Sequence, residues 1–387
     1  MGSLNIGQAD SVPILDLDKV LNPTKQTKES KVEFLHELQD ALFNYGFFYL
    51  KNPPFKLSKF SNIKQQSLKF FNDLPLDEKI KIHGINSKHF LGYNGLGDEL
   101  TASNIDWREQ VEFGTELPVP KINSSDELYK NIEGPNLWPN DLILPNFKET
   151  ITDYIDELSS LARILVRLIE ETLNIPIGTI ESNFFKQIQQ AKLKIIKYPD
   201  LENLQDEIKQ ISKDLNKPLN INQGVGEHRD NDLLTFIYQA TNHNSLQVKD
   251  FHGNWINIPP IENTLVFAVG LTLEFITQGA CISTVHRVLT PIPGEGDRLS
   301  ISFFQTINID SIKKILPIDQ YIKELIKKRD SQRIQNKIGF QFQVDGNKPI
   351  GYSVFLNRIK SHPKVGAKYY PEVLKYIQEE VAKASDI

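Results

Sequence analysis

Apolar residues recur every three or four positions in several segments of the N-terminal half, a spacing that places side chains on one face of a helix. Such stripes predict helices over residues 30–45, 57–72 and 75–82. The longest stripe predicts a helix over 147–174, and Pro176 ends the pattern. A long apolar stripe of this kind is typical of a helix that supports one face of a sheet.

From residue 191 onward the pattern changes to short runs of β-branched and aromatic residues separated by Gly, Pro or Asn, which predict strands. The predicted strands cover 193–198, 233–240, 246–248, 255–258, 264–269, 281–288 and 298–307. Regular short strands without intervening helices favour an antiparallel sandwich or a jelly roll. The predicted fold class is therefore mixed α+β, with a β core flanked by helical segments.

The remaining segments have their own signatures. Glycine density predicts a loop over 92–97, and the polar, charged stretch 200–222 predicts a surface insert between two strands. Helical character returns after residue 310, over 318–329 and 371–384, with mixed signals in 339–342 and 349–363.

The composition of the 387 residues, 40% hydrophobic and 24% charged, is that of a globular protein with a large core. A formal net charge of −5 leaves no basic surplus for a nucleic-acid partner. Neither a secretory signal nor a membrane-length apolar run is visible, so we expect a cytoplasmic protein without a membrane partner. The single cysteine, Cys281, excludes an intramolecular disulfide and is expected to be a buried structural thiol. The oligomeric state is left open.

The most informative chemistry lies between His228 and Ser300. His228 and Asp230 are two positions apart, which places both side chains on one face of a strand, and His286 can join them from a distant strand. Two imidazoles and one carboxylate are the ligands of a non-haem iron site, with the opposite positions open for an oxidant and a co-substrate. Arg298 and Ser300, again two apart, offer a guanidinium and a hydroxyl to a carboxylate.

Each of these residues has a plainer interpretation when taken alone. His228 fits a surface loop, His286 a structural strand position and Arg298 a strand edge. The order and spacing of the whole set favour the metal site. The other histidines lack partners at ligand spacing and are predicted to be structural or on the surface: His36, His83, His89, His243, His252 and His362.

Several motifs together resemble the Fe(II)/2-oxoglutarate-dependent dioxygenases of the isopenicillin-N-synthase-like group. The resemblance extends over residues 12–310. Its motifs are VPILDL at 12–17, YGFFYL at 45–50, GEHRD at 226–230, LQV at 246–248, GNW at 253–255, STVHRV at 283–288 and RLSISFF at 298–304.

The resemblance implies a double-stranded β-helix, or jelly roll, with flanking N-terminal and C-terminal helices. It divides the chain into four parts. These are an N-terminal dioxygenase region (12–150), a supporting helix and connection (151–190), the jelly-roll core (191–310) and a C-terminal helical segment over the barrel mouth (311–387).

The resemblance also implies Fe(II) as the metal, with 2-oxoglutarate and O2 as co-substrates. The implied metal ligands and catalytic residues are His228, Asp230 and His286. Arg298 and Ser300 would bind the distal carboxylate of 2-oxoglutarate, and Tyr198 keeps the place of a family tyrosine beside them. Ile196 departs from the pattern, because many relatives have an asparagine there that bonds the co-substrate.

Three residues are candidates for binding the substrate. Lys194 lies on the strand face that looks into the family's barrel, where it would neutralise a substrate carboxylate; a solvated lysine is the alternative. Residues 92–101 resemble a loop of the ethylene-forming enzyme and of fungal relatives. Glu99 and Thr101 align with a glutamate and a threonine that bind the substrate arginine there, and the alternative is that they cap the loop.

The predicted function is a non-haem Fe(II)- and 2-oxoglutarate-dependent oxygenase that hydroxylates or oxidises a small molecule, releasing succinate and CO2. Two alternatives stay open. One is an iron oxidase of the same fold that performs ring closure, desaturation or ethylene formation. The other is a non-catalytic binding protein on this scaffold, which the complete ligand set disfavours.

Overall fold

The computed structural model describes residues 12–101, 104–187, 190–215, 219–312, 314–331 and 348–385. Its strands are β1 (Ile14–Asp16), β2 (Phe47–Lys51), β3 (Gly92–Asn94), β4 (Leu100–Thr101), β5 (Asn104–Ile105), β6 (Glu109–Gly114), β7 (Lys192–Tyr198), β8 (Gln223–His228), β9 (Leu234–Gln239), β10 (Leu246–Lys249), β11 (Trp255–Asn257), β12 (Thr264–Val269), β13 (His286–Leu289) and β14 (Arg298–Gln305).

The helices are α1 (Asp18–Leu21), α2 (Lys28–Asp40), α3 (Ser58–Asn72), α4 (Leu76–Lys81), α5 (Phe147–Thr172), α6 (Thr179–Phe184), α7 (Gln205–Leu215), α8 (Leu271–Ile276), α9 (Gln320–Asp330), α10 (Ile350–Ser361), α11 (Pro363–Tyr369) and α12 (Pro371–Ser385). A π-helical turn, Ala41–Tyr45, continues α2, and 3-10 turns cover Gly84–Asn86, Ser125–Ile132 and Leu201–Leu204. Within the described ranges, no helix is both long and apolar enough to cross a membrane.

Two sheets form the β core. The larger has eight strands in the order β1-β2-β12-β9-β14-β7-β6-β3, and the smaller has four in the order β11-β10-β13-β8. Neighbouring strands are antiparallel in both sheets, except that β1 and β2 are parallel. The observed fold is mixed helix and sheet, as predicted.

Alternation along the strands gives the large sheet two different faces. On β12, Leu265 and Phe267 pack into the cluster that contains the apolar face of α5. Their neighbours Val266 and Ala268 face the opposite way, into a smaller cluster shared with Leu246 of the small sheet. The large sheet therefore has helices on one side and the small sheet on the other, and the predicted supporting role of the long helix is confirmed.

The C-terminal helices are attached through a separate apolar cluster. Phe355 and Ile359 of α10 pack against Tyr129 and Ile132 of a 3-10 turn, with Phe90 beside them. This cluster packs α10 beside the 3-10 turn, and the last turn of α10 lines a cavity.

Several predicted boundaries were wrong. The strand predicted over 281–288 begins only at His286, because Ile282 and Thr284 bond instead to backbone carbonyls around the π-helical turn. The segment 92–97, predicted as a loop, begins with β3. The strand-rich half contains the helix α8, although none was predicted there.

The polar insert and the C-terminal segment also differ from prediction. The insert over 200–222 contains α7, which buries Ile208 against Trp107, so it is more than a surface segment. The mixed segment 349–363 contains α10. The mixed signal over 339–342 falls outside the described residues.

Candidate active site

Three metal-ligating side chains meet between the two sheets. His228 ends β8 and His286 begins β13, and the two are directly paired across these strands. Asp230 Oδ1 lies 3.6 Å from His228 Nε2 and 3.7 Å from His286 Nε2. One ligand atom from each residue lies within 4.8 Å of the others, so a single ion can contact all three.

Hydrogen bonds orient each ligand toward that common point. His228 Nδ1 lies 2.8 Å from the Gly226 carbonyl and His286 Nδ1 lies 3.1 Å from the Thr284 carbonyl. Carbonyls only accept, so each Nδ1 carries the proton and each Nε2 keeps a free lone pair. Thr235 Oγ1 donates to Asp230 Oδ2 over 2.6 Å, which leaves Oδ1 for the metal. The donor set therefore fits a divalent iron.

The way in which Asp230 reaches this point was predicted wrongly. The sequence argument placed His228 and Asp230 on one strand, but β8 ends at His228. Asp230 lies in the connection to β9, where its carbonyl accepts from the Leu271 amide over 2.8 Å. Burial, with His286 adjacent, lowers the pKa of His228 to about 4, so the imidazole is neutral and able to ligate near pH 7.

A cavity of about 510 Å³ opens beside the three ligands. It is lined by every side chain that the sequence singled out for the site: His228, Asp230, His286, Arg298, Ser300, Tyr198, Lys194, Glu99 and Thr101. The residues singled out from the sequence therefore line one cavity.

Arg298 is a buried cation with unused hydrogen-bonding capacity. Its side chain is 1% exposed, Nη2 donates to Gln239 over 3.2 Å, and the guanidinium lies 4.9 Å from the ring centre of Tyr198. Nε and Nη1 have no hydrogen-bond partner in the described part of the chain. Burial lowers the pKa of Arg298, yet a guanidinium stays charged at neutral pH. Two free donors on a buried cation fit a carboxylate.

The pairing of β7, β14 and β9 gives these residues a fixed order. Arg298 pairs with Tyr198, and Ser300 pairs with Ile196 and Gln239. Moving along the sheet, the next rows on the same face are Lys194–Ser302–Ile237 and then Lys192–Phe304–Thr235. Because Thr235 donates a hydrogen bond to Asp230, the metal ligands lie toward the end of this face that carries Lys192 and Lys194, here called the lysine end. Arg298 lies at the other end.

A buried ionic cluster occupies the lysine end. Glu112 of β6 is fully buried, and both of its oxygens accept from the guanidinium of Arg358 on α10. Lys194 Nζ lies 3.3 Å and Lys192 Nζ 4.0 Å from the same carboxylate. Burial opposes ionisation of Glu112, but Arg358 and the two lysines hold its pKa well below the usual range.

The predicted loop residues Glu99 and Thr101 are already bonded within the protein. Glu99 accepts from Arg108, and from Gln110 Nε2 over 2.6 Å, and lies 3.1 Å from His362 Nε2. Thr101 Oγ1 donates to the Asp106 carboxylate over 2.7 Å. Burial opposes ionisation of Glu99, but Lys194, Arg108 and His362 keep its pKa well below the usual range.

Sequence reasoning missed part of this cavity. Lys192 lies two positions before Lys194 on the same strand face, so alternation could have identified it. His362, predicted to be structural or on the surface, lines the cavity, as does Arg358. Glu112 and Arg358 are 246 positions apart, and no local pattern connects them. The buried state predicted for Cys281 is confirmed.

A two-histidine, one-carboxylate cluster beside a cation-lined cavity is the arrangement of a mononuclear non-haem oxygenase. Comparison with known families agrees. The model of the 2OG-Fe(II) oxygenase superfamily matches residues 203–307, and the model described as non-haem dioxygenase in morphine synthesis N-terminal matches residues 12–141.

Individual relatives match along nearly the whole chain. The 2-oxoglutarate-dependent dioxygenase frbJ of Dothideomycetidae sp. (strain 11243) is 38% identical over 98% of this chain and 97% of its own. A 2-oxoglutarate-dependent dioxygenase of Gibberella zeae is 31% identical over 97% and 95%. Among solved structures, a Neurospora crassa protein in complex with alpha-KG and thymine has a TM-score of 0.64 at 25% identity, covering 83% of this chain and 96% of that one.

The chain belongs to the Fe(II)/2-oxoglutarate-dependent oxygenase family. It is an oxidoreductase that requires Fe(II), 2-oxoglutarate and O2. The functional class and cofactors predicted from the sequence are thereby confirmed, and the substrate is the part of the function that the family does not specify.

Proposed function

We propose that His228, Asp230 and His286 hold the iron and that Arg298 and Ser300 bind the distal carboxylate of 2-oxoglutarate, beside Tyr198. One observation carries this assignment. Arg298 is buried at one end of the face whose other end supports the metal ligand Asp230, and it has two free donors. An anion at this place gives the guanidinium the partners that it lacks within the described residues. Ile196 adds no hydrogen bond.

We further propose that the two facing sheets are the two halves of a double-stranded β-helix. Support comes from the opposed eight- and four-stranded sheets with an apolar cluster between them. This arrangement holds His228 and His286 on rigid strand ends, and it keeps Thr235 and the two carbonyl acceptors in place behind the three ligands.

The reaction that this site supports best is hydroxylation of a small molecule. With Fe(II) bound, 2-oxoglutarate and O2 supply the oxidising power to attack a substrate C–H bond, with release of succinate and CO2. The protein's own part is to keep each Nε2 unprotonated, to anchor the co-substrate through Arg298 and to orient the substrate in the cavity. Relatives named homoarginine-6-hydroxylases, one of them from rice at 28% identity, support hydroxylation.

The substrate side is formed by Lys194, Glu99 and Thr101. All three line the cavity, but Glu99 reaches a substrate cation only if Arg108 or Gln110 releases it. This internal pairing makes Glu99 a support for neighbouring cations in the substrate-free protein. Lys194 shares Glu112, 3.3 Å away, with Arg358, and its ammonium can still donate to a substrate carboxylate.

A second outcome on the same metal site is ring closure, desaturation or ethylene formation. Relatives in Dictyostelium that are named 1-aminocyclopropane-1-carboxylate oxidase, at 29% identity, are the observation that keeps it open. Succinate released in proportion to a hydroxylated product supports the first outcome. Ethylene in the headspace supports the second.

Anaerobic titration of the metal-free protein with Fe(II) and then 2-oxoglutarate tests the site. We expect a weak visible charge-transfer band that needs both additions. His286→Ala should abolish the band while the protein keeps its fold by circular dichroism. His252→Ala is the matched control, because His252 is exposed in a turn beyond β10 and should leave the band unchanged. A full band in His286→Ala would contradict the assignment.

A further inference from the structure

Two largely buried ammonium groups line the cavity and share one carboxylate. The side chains of Lys192 and Lys194 are only 7% and 16% exposed, and their Nζ atoms lie 4.0 and 3.3 Å from Glu112. Both oxygens of Glu112 also accept from the guanidinium of Arg358, so three cations share this carboxylate. Largely buried cations that share a single carboxylate favour a further anion from outside the chain.

The cluster is held by elements from three distant parts of the chain. Glu112 comes from β6, the lysines from β7 and Arg358 from α10. Asn357, next to Arg358, also lines the cavity, and its Nδ2 has no partner among the residues described. The sheet thus supplies two ammonium groups to the cavity, and α10 supplies one unused donor.

Other charges face this cluster and limit what it can bind. The carboxylate of Asp232 interacts electrostatically with Lys192 and Arg358, and the carboxylate of Glu99 interacts in the same way with Lys194. Arg108 lies against Glu99 and 3.3 Å from Asp106. Glu112 and Glu99 are paired with internal cations, and Asp232 faces Lys192 and Arg358. Three cations, Lys192, Lys194 and Arg358, thus face two carboxylates, Glu112 and Asp232, which favours an added anion over a cation such as a guanidinium.

The position of the lysines relative to the metal suits a substrate contact. Lys192 shares a row with Thr235, the residue that holds Asp230, and β14 lies between them. Two strand spacings separate the backbones of that row, about 10 Å. Arg298 lies at the opposite end of the face, six residues along β14 from Phe304, the partner of Lys192. The lysines are therefore distinct from the 2-oxoglutarate anchor.

We propose that Lys192 and Lys194 bind a carboxylate of the substrate, with Arg358 and Glu112 fixing their positions, so that the enzyme acts on a small carboxylic acid. This inference rests on the proposed function, because it requires Arg298 to be taken by 2-oxoglutarate. Lys192 is the specificity-determining residue, since it is the lysine farther from Glu112. The substrate C–H bond that is oxidised lies in the part of the molecule between this carboxylate and the iron.

Binding of acids and their amides to the complete Fe(II)–2-oxoglutarate complex tests the proposal under anaerobic conditions. The probes are butyrate, benzoate and L-leucine, each compared with butyramide, benzamide and L-leucinamide, with 2-oxoglutarate saturating. We expect at least one acid to bind at millimolar concentration by calorimetry and to raise the unfolding temperature. Its amide should bind at least about tenfold more weakly.

Three variants identify the residue responsible. Lys192→Met should abolish the preference for the acid, and Lys192→Arg should keep it. Lys197→Met is the matched control on the same strand, because Lys197 is paired with Glu109 at 2.7 Å and does not line the cavity. It should behave as the wild type.

The outcomes separate this inference from the proposed function. Wild-type protein without the charge-transfer band would overturn the proposed function and this inference with it. A normal band with no acid bound, with equal binding of acids and amides, or with an unchanged acid preference in Lys192→Met would overturn the carboxylate subsite alone. Because the band is recorded for every variant, misfolding is distinguished from loss of the subsite.

Discussion

Replacement of Arg298 by leucine should separate co-substrate binding from stability. The guanidinium keeps Nε and Nη1 free for 2-oxoglutarate. A hydrogen bond to a charged group contributes about 1.5–3 kcal/mol, so the loss of two costs about 3–6 kcal/mol. That loss corresponds to roughly a hundredfold to twenty-thousandfold weaker binding of 2-oxoglutarate. Fe(II) affinity should change little, because Arg298 contacts none of the three metal ligands.

The same change should not destabilise the protein without its cofactors. Replacing a buried, poorly paired charge with an apolar side chain is often neutral or stabilising by about 1–4 kcal/mol. Against this, Arg298→Leu loses one hydrogen bond to Gln239 and the contact with the Tyr198 ring, together about 1–3 kcal/mol. Gln239 stays held by its bond to the Ile258 carbonyl at 3.0 Å. We expect an unfolding free energy within about 2 kcal/mol of wild type.

Both quantities can be measured on one preparation. The 2-oxoglutarate dissociation constant comes from the anaerobic charge-transfer band, and the unfolding free energy of the metal-free protein comes from urea titration. Arg287→Leu is the control, because Arg287 stacks on Trp255 outside the cavity, 4.0 Å from the ring centre. A 2-oxoglutarate affinity within about fivefold of wild type would refute the reasoning, because it would mean that another residue holds the distal carboxylate.

Three further predictions follow from the supporting contacts. Thr235→Val removes the 2.6 Å hydrogen bond to Asp230 and should weaken Fe(II) binding by about 10- to 100-fold in a metal titration; unchanged affinity would mean that Asp230 needs no support. Burial beside Arg358 lowers the pKa of Lys192 to about 8, despite Glu112 and Asp232. Carboxylate affinity, measured by calorimetry from pH 7 to 10, should therefore fall about tenfold per unit above pH 8, and a constant affinity over that range would contradict this. Gly46→Ala should lower the unfolding free energy, measured by urea titration, by more than about 2 kcal/mol. The reason is that Gly46 has φ +64° and an added Cβ would lie 1.9 Å from the Ile282 carbonyl oxygen. An unfolding free energy equal to that of wild type would show that the backbone around the π-helical turn can shift to accommodate the Cβ.

The part of the site that the sequence predicted is the part encoded locally. His228 with Asp230, and Arg298 with Ser300, each lie two positions apart, so a short segment contains the signal. The backbone that brings the first pair together differs from the expected one. β8 ends at His228, and the connection that follows this strand places Asp230 beside the histidines. A spacing of two residues can therefore identify a pair of ligands without determining the backbone conformation that brings them together.

The rest of the site depends on contacts that no local pattern contains. Glu112 and Arg358 meet only after β6 and α10 pack around the same cavity, and the signal for α10 itself is mixed. Its apolar side chains contact the 3-10 turn, while its last turn faces the cavity. The sequence of α10 therefore lacks a clear apolar stripe on one face. The segment before His286 looked like a strand because it is apolar, but it is held by the N-terminal π-helical turn.

The strand order of the large sheet has a consequence for engineering. Its centre, β12-β9-β14-β7, comes from the second half of the chain, while β1-β2 and β6-β3 from the first half close its two edges. Chimeras between relatives with a single crossover near residue 150 would therefore exchange both edges of one sheet at once. Successful recombination needs the pairs β2–β12 and β6–β7 to be inherited together, so the unit that can be shuffled in this enzyme is a strand pair and not a contiguous half.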